Sequence, residues 1–139
     1  MHIEKVQRLQ NFAARVTELG VRKYDHISPT IKKLKWLKVE ERHVYETCIL
    51  TFKVTNDHVP PWLLRFPTVA ESRDRQTRQS GNLSIPMCRT DIGKRSTQVN
   101  APQEWNKLPI KIKETTSVNT FKVYLQKHLL EKQNKGNSK

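Results

Sequence analysis

Residues 100–109 have the sequence NAPQEWNKLP, which places one of the chain's three tryptophans between two prolines. Pro102 can open a helix, because the first helical turn does not need the amide hydrogen that proline lacks. Pro109 disfavours a helical conformation at the residue before it, so the helix should end there. About two turns then present Trp105 and Leu108 on one side, and a helix that short is not stable alone in water. The stretch therefore predicts a short helix that docks on a larger core through Trp105.

The composition indicates one small domain with a thin hydrophobic core. The chain has 139 residues, of which 35% are hydrophobic, whereas ordinary globular proteins have roughly 45–50%. It contains 26 Lys and Arg but 13 Asp and Glu, which gives a net charge of +13. The charge is spread along the chain, with +2 in residues 1–28, +3 in 29–66, +3 in 67–100 and +5 in 101–139. Such a charge attracts polyanions, with nucleic acid as the first candidate and an anionic membrane as the second, although a solvated basic surface is the simpler alternative.

The sequence carries no signal for secretion or for a membrane. No apolar run approaches the roughly 20 residues that cross a bilayer, and the N-terminal stretch MHIEKVQRLQ has no apolar signal region. Cys48 and Cys88 are 40 positions apart, which fits neither a disulfide framework nor a metal-binding spacing. We therefore expect an intracellular protein, nuclear or cytoplasmic, with no membrane partner.

Three helices are predicted in residues 1–66. They cover residues 3–19, 28–37 and 39–55. In the first, apolar residues recur every three or four positions, and Gly20 is placed to cap its end. Ser28 and Pro29 together form a start signal for the second helix. The third has an apolar face that we expect to be buried, made of Val44, Tyr45, Cys48, Ile49 and Phe52.

The periodic pattern is lost in the middle of the chain. Residues 67–92 are polar and charged, which predicts a flexible basic linker, with short strands conceivable at 83–86 and 93–96. Residues 93–131 carry the tryptophan turn and a last amphipathic helix, and 132–139 are expected to be a disordered tail. The predicted fold is mainly α: a small helical domain of four to five helices with an irregular middle and at most short β-strands.

The sequence offers no converging catalytic or metal-binding groups. Its four glycines are scattered, so they cannot build a phosphate-binding loop. The five histidines show no paired ligand spacing with either cysteine. We therefore expect no enzyme activity from this chain alone, and no cofactor, metal or small-molecule substrate.

Three groups of cations are candidate phosphate-binding residues. Four lysines crowd around Trp36, a combination that suits phosphate contact and base stacking. The structural alternative is a core tryptophan with lysines extending around it into solvent. The candidates are Lys32, Lys33, Lys35, Trp36 and Lys38; Arg73, Arg75 and Arg78 in the linker; and Lys107, Lys111 and Lys113 beside the tryptophan turn. The predicted structural anchors are Trp62, Trp105, Leu108 and Phe121.

Four stretches, in order, resemble the C-terminal region of the reverse transcriptase of non-LTR (LINE-type, jockey-like) retrotransposons. They are VQRLQNFAARV (6–16), YDHISPTIKKLKWLKVEER (24–42), TFKVTNDHVPPWL (51–63) and GKRSTQVNAPQEWNKLPIKIKETTSVNTFKVYLQKHL (93–129). Any one of them would be weak, but four in register are specific. The resemblance implies that residues 1–66 correspond to the helical segment after the polymerase palm, and that the Trp-Asn-x-Leu-Pro stretch is a packing signature.

The resemblance implies a non-catalytic, nucleic-acid-binding fragment of an RNA-directed DNA polymerase. Such a fragment would hold RNA template or DNA through Lys and Arg contacts to phosphate, and the palm domain of the parent polymerase would be a further partner. The Tyr/Phe-x-Asp-Asp turn that binds the catalytic metals is missing from this sequence, and phosphoryl transfer needs those metals to stabilise its charge. The alternative is a helical protein-interaction module, docked on the palm or left as an orphan remnant, with no nucleic-acid role.

Overall fold

The computed structural model describes residues 3–18, 20–60, 62, 64–72 and 81–136, and these residues are mainly helical. Their helices are α1 (Ile3–Thr17), α2 (Ser28–Lys33), α3 (Val39–Thr55), α4 (Val69–Ser72), α5 (Asp91–Lys94), α6 (Thr97–Asn106), α7 (Ile110–Lys113) and α8 (Val118–Gly136). The prediction of a mainly α fold is confirmed. The helices outnumber the four to five expected, because α4, α5 and α7 have only four residues each and leave no periodic pattern.

The chain divides into two compact units. The first comprises Met1–Tyr45 and Val123–Lys139, and the second comprises Glu46–Lys122. Helices α3 and α8 each contribute residues to both units. Segments that are distant in sequence therefore belong together, which the predicted division at residues 66, 92 and 131 did not anticipate.

The second helix of the first unit differs at both ends from its prediction. Ile27 occupies the position before α2, so Ser28 is the first helical residue and makes no capping hydrogen bond from its side chain. The helix ends at Lys33 instead of continuing to 37. Lys35 has a left-handed backbone, with φ of 54°, and this conformation commonly follows the end of a helix. Residues 36–38 therefore form an irregular connection to α3.

Helix α1 forms as predicted, but its apolar face does not point into the core. Ala14 is the buried residue of this helix. The apolar residues Val6, Leu9, Phe12 and Val16 are all exposed. We expected this stripe to be buried, because apolar residues at helical spacing usually face the core. That expectation is wrong for α1, although Gly20, with φ of 106°, does follow the helix as a left-handed residue.

The core of the second unit is a cluster of three aromatic rings. Phe52 of α3 stacks on Phe121 of α8 with 4.3 Å between ring centroids. The ring of Trp105 in α6 lies 6.4 Å from that of Phe52 and 5.8 Å from that of Phe121. All three side chains are buried, as is Leu108. Trp105, Leu108 and Phe121, the residues predicted as structural anchors, therefore all lie in this core.

A side-chain amide joins the tryptophan turn to the middle of the chain. The Nδ2 atom of Asn106 donates to the Leu83 carbonyl at 2.9 Å, and its Oδ1 atom accepts from the Leu83 amide at 3.0 Å. Leu83 is buried and also forms an isolated antiparallel bridge with Thr68. The predicted linker 67–92 therefore has structure at both ends, with α4 inside it and the first two residues of α5 at its end, while residues 73–80 lie outside the described part. The strands suggested at 83–86 and 93–96 are not formed: Leu83 has only the bridge, and residues 93–94 belong to α5.

We predicted that Pro102 opens a helix, but it lies inside one. Helix α6 begins five residues earlier, at Thr97. Proline inside a helix removes one backbone hydrogen bond. Here its ring is almost completely buried, and burial of an apolar ring stabilises the fold and offsets part of that loss.

Two further predictions fail at exposed and terminal positions. Trp62 is 83% exposed, so it does not anchor the chain. Helix α8 continues to Gly136, so the predicted disordered tail 132–139 is helical over 132–136, and residues 137–139 lie outside the described part. No helix among the described residues is both long enough and apolar enough to cross a membrane.

Candidate functional site

The strongest candidate site is the connection between α2 and α3, which carries Lys35, Trp36 and Lys38. The amide of Trp36 donates to the Ile31 carbonyl at 3.1 Å and closes the end of α2. The left-handed residue Lys35 makes this reversal possible. The chain then continues without regular secondary structure to Val39, where α3 begins. The backbone groups of such a segment are not paired within a helix or a sheet, so they need partners from elsewhere.

Three glutamine side chains supply those partners, and we call them the glutamine clamp: Gln7, Gln10 and Gln133. Gln133 of α8 donates to the Trp36 carbonyl at 3.3 Å and accepts from the Lys38 amide at 2.9 Å. The other two glutamines belong to α1. Gln10 donates to the Leu37 carbonyl at 2.7 Å, and Gln7 accepts from the Val39 amide at 3.0 Å. The clamp thus fixes the backbone on which the candidate binding residues stand.

The clamped segment borders two open grooves. One has a volume of about 310 Å³ and is lined by Gln10, Lys35, Trp36, Leu37, Arg42 and Gln126. The other has a volume of about 340 Å³ and includes Lys32, Lys38 and Gln133 in its lining. Trp36 is half-buried, so its ring is neither enclosed in the core nor fully exposed. The backbone of Trp36 is held within the unit by a hydrogen bond, and its side chain borders a groove.

The lysines of this segment are not equivalent. Lys33 forms an ion pair with Glu18. Lys32 and Lys35 are exposed, and within the described residues neither has an acidic partner. The guanidinium of Arg42, which also lines the Trp36 groove, lies 5.2 Å from the centre of the Tyr45 ring. Lys35 of the segment and Arg42 of α3 therefore line the same groove as the tryptophan.

The lysines beside the tryptophan turn are mostly engaged in other contacts. Lys107 pairs with Glu104 at 2.6 Å. The ammonium of Lys113 lies 3.4 Å from the Asn106 carbonyl, and partial burial lowers the pKa of this lysine from its ordinary value. Lys111 is exposed. Arg73, Arg75 and Arg78, the predicted group in the linker, lie outside the described residues.

The sequence offered no signal for the glutamine clamp. Gln7 and Gln10 stand on the face of α1 that a helical pattern would assign to solvent, and Gln133 lies in the predicted tail. The only indication is indirect. The backbone groups of the lysine-rich segment needed hydrogen-bond partners that its own residues could not provide. Arg42 was also missed, because it belongs to α3 and approaches Trp36 only in the folded unit.

The described part of the chain contains no group of three His, Cys, Asp or Glu side chains that could hold a metal ion. The site as it stands offers an indole ring, cations and amide groups.

No protein-family model matches the chain, and no curated protein or solved structure is significantly similar to it. The resemblance to retrotransposon reverse transcriptases therefore stays a prediction that rests on the four sequence stretches alone.

Proposed function

We propose that this chain is a non-catalytic nucleic-acid-binding module that holds single-stranded RNA or DNA at the segment 32–38. The observation that carries the proposal is the groove at Trp36, with Lys35 and Arg42 in its lining. By the sequence resemblance, we further propose that the module belongs to the C-terminal region of a retrotransposon RNA-directed DNA polymerase and acts inside the cell.

The chemistry of the groove suits a nucleotide better than a neutral ligand. An indole face stacks on any base, and such stacking contributes about 1–3 kcal/mol per base. The exposed cations Lys35 and Arg42 in the lining of the groove can contact phosphates next to that base. The amide groups of Gln10 and Gln126, which line the same groove, can donate to and accept from base edges.

The charge of the first unit supports the same proposal. Its residues include 14 Lys and Arg and six Asp and Glu, a net charge of +8, whereas the second unit has 12 and seven, a net charge of +5. The first unit therefore has the higher excess of positive charge, and it is the unit that contains segment 32–38.

The test is a binding titration at several salt concentrations. A labelled single-stranded RNA or DNA of about 12 nucleotides is mixed with the whole chain, and fluorescence anisotropy gives the dissociation constant. Each phosphate neutralised on a single strand contributes about −0.7 to the slope of log affinity against log salt. The double variant Lys32→Gln/Lys35→Gln should therefore bind more weakly and should make this slope shallower by about 1.4.

A matched control separates the site from the general charge of the chain. Arg65→Gln/Lys94→Gln removes the same charge from two cations of the second unit that already have acidic partners, so its salt slope should stay close to that of the wild type. Trp36→Leu should weaken binding about tenfold and leave the slope unchanged, because it removes stacking and no charge. Equal losses from both double variants would contradict a defined site, and a flat salt response would contradict phosphate binding altogether.

The protein-interaction alternative has one observation in its favour, the exposed apolar face of α1. The apolar residues of that face do not line the Trp36 groove; Gln10 is the residue of α1 that does. The two roles are therefore compatible, and the surface of α1 can be examined separately.

A further inference from the structure

Helix α1 has the polarity of its two faces reversed. The face directed into the first unit carries Gln7, Gln10 and Ala14. The adjoining side carries the apolar residues Val6, Leu9 and Val16, which are 47%, 68% and 63% exposed. A surface helix normally buries its apolar stripe and exposes its polar face. In α1 the glutamines of the clamp occupy the side that packs on the unit. The apolar stripe therefore remains available for a contact outside this unit.

The spacing of the stripe identifies the kind of surface. Its members are Val6, Leu9, Ala13 and Val16, at intervals of three, four and three residues, and Ala13 is also exposed. This is the alternation of a and d positions in a heptad repeat, which gives the narrow seam of a two-helix contact. A helix that lies in a lipid surface has a broader apolar face with polar residues confined to the other side. The seam therefore fits another helix better than it fits a membrane.

The flank of the seam is basic and aromatic. An open groove of about 610 Å³ beside α1 is lined by Arg8, Asn11, Phe12, Arg15 and Lys23. It contains three cations and no acidic side chain, and Phe12 is 67% exposed within it. Lys5 also lies next to the seam, one position before Val6. The acids of this region are Glu4, in the first turn; Glu18, which pairs with Lys33; and Asp25, whose carbonyl accepts from Arg15 and whose carboxylate accepts from the Arg22 amide. The cations of the groove still outnumber the acids that contact them. A complementary helix would carry acidic residues along this flank.

From this reversed helix we propose that α1 pairs with an acidic amphipathic helix of a partner protein, with apolar residues at its a and d positions and carboxylates beside them. A second copy of this chain would bring the same basic flank against itself, and like charges facing each other destabilise such a pairing. The partner therefore differs from this chain in charge. The proposal goes beyond nucleic-acid binding and does not depend on it.

The probe is a synthetic 21-residue helix with leucine at a and d and glutamate at e and g. The labelled peptide is kept at nanomolar concentration, below its own association, and the whole chain is titrated against it by fluorescence anisotropy. We expect saturable binding that weakens as salt is raised. A matched peptide with lysine in place of every glutamate should not bind.

The variant Leu9→Gln should weaken binding of the acidic peptide at least tenfold, because Leu9 is the largest side chain of the seam. Its exposure means that the substitution should leave the folded unit intact, which a thermal melt checks. Met87→Gln is the control, since Met87 is 96% exposed and lies far from α1 in sequence; it should bind the peptide as the wild type does.

Four results would overturn the proposal. They are failure of the acidic peptide to bind, equal binding by the lysine peptide, unchanged binding by the Leu9 variant, and Leu9-dependent binding to anionic phosphatidylserine vesicles without peptide binding. A wild-type dimer in sedimentation that Leu9→Gln dissociates, again without peptide binding, would assign the seam to self-association instead. Oligonucleotide binding is measured alongside: Leu9→Gln should leave it unchanged, and Lys32→Gln/Lys35→Gln should leave peptide binding unchanged, so the two proposals can fail separately.

Discussion

The substitution Gln133→Leu tests whether the glutamine clamp holds the candidate binding segment. Leucine has a helix propensity similar to that of glutamine and a similar size, so α8 itself should be little affected. The change removes both hydrogen bonds of Gln133 and leaves the Lys38 amide and the Trp36 carbonyl without their partners.

The expected cost follows from the geometry of the two bonds. The bond to Lys38, at 2.9 Å, has an ordinary length, whereas the bond to Trp36, at 3.3 Å, is long and therefore weaker. Leaving a buried polar group unsatisfied costs about 1–3 kcal/mol. Because both groups are only partly buried, we take the low end for each, which gives about 2 kcal/mol. For a chain of this length, that loss lowers Tm by about 7 °C.

Amide hydrogen exchange measured by NMR provides the direct assay. In the variant, the Lys38 amide should lose protection, while the Phe121 amide, which bonds to the Ser117 carbonyl at 2.9 Å, should keep it. Gln98→Leu, at an exposed position of α6, is the control and should leave Tm within about 2 °C of the wild type. Oligonucleotide binding by Gln133→Leu should weaken as well, because the backbone of Trp36 is no longer fixed. A Lys38 amide that stays protected, with Tm unchanged, would refute the clamp.

Two further predictions concern the second unit. Asn106→Ala should destabilise the chain by about 1–3 kcal/mol, because the amide and carbonyl of Leu83 both lose their partner; urea unfolding measures the loss, and an unchanged unfolding midpoint would contradict the predicted role. Lys113→Gln should raise Tm slightly at neutral pH, since burial lowers the pKa of Lys113 in the folded state and so disfavours its charged form. The unfolded chain then binds more protons, so the wild type gains stability as pH rises toward the ordinary value of 10.5, and the difference between the two proteins should shrink. Thermal melts across this range decide the matter, and a difference that grows with pH would contradict the assignment.

The sequence predicted the parts of the fold that depend on apolar periodicity. Helix α3 begins and ends at the predicted residues, because its apolar positions repeat and Asn56 follows directly. Trp105, Leu108 and Phe121 were correctly placed in the core, since large apolar side chains at helical spacing are usually buried. The aromatic cluster is the physical reason that the tryptophan turn, too short to be stable alone, has a fixed conformation.

The errors have a different cause. At these positions, contacts with residues distant in sequence outweighed the local sequence preferences. Pro102 was assigned to a helix start because proline has no amide hydrogen, yet the burial of its ring made an interior position acceptable. The stripe of α1 was assigned to the core, yet Gln7 and Gln10 take that place because the segment before α3 needs hydrogen-bond partners. No pattern in α1 alone could reveal that need.

In α1 the glutamines face the unit and the apolar residues are exposed. This arrangement explains how a chain with few apolar residues can order a lysine-rich segment. A purely hydrophobic contact would have buried Trp36 and drawn it away from any ligand. Hydrogen bonds from amide side chains instead hold the backbone and leave the side chains of Lys35 and Trp36 at a groove. Because the glutamines face the unit, the apolar residues of α1 are exposed to solvent. Their exposure is unfavourable in free energy unless a partner covers them. The exposed seam is thus the consequence of how the candidate binding segment is held, and a protein that occupies the seam should stabilise α1 and, through Gln7 and Gln10, the segment that α1 supports.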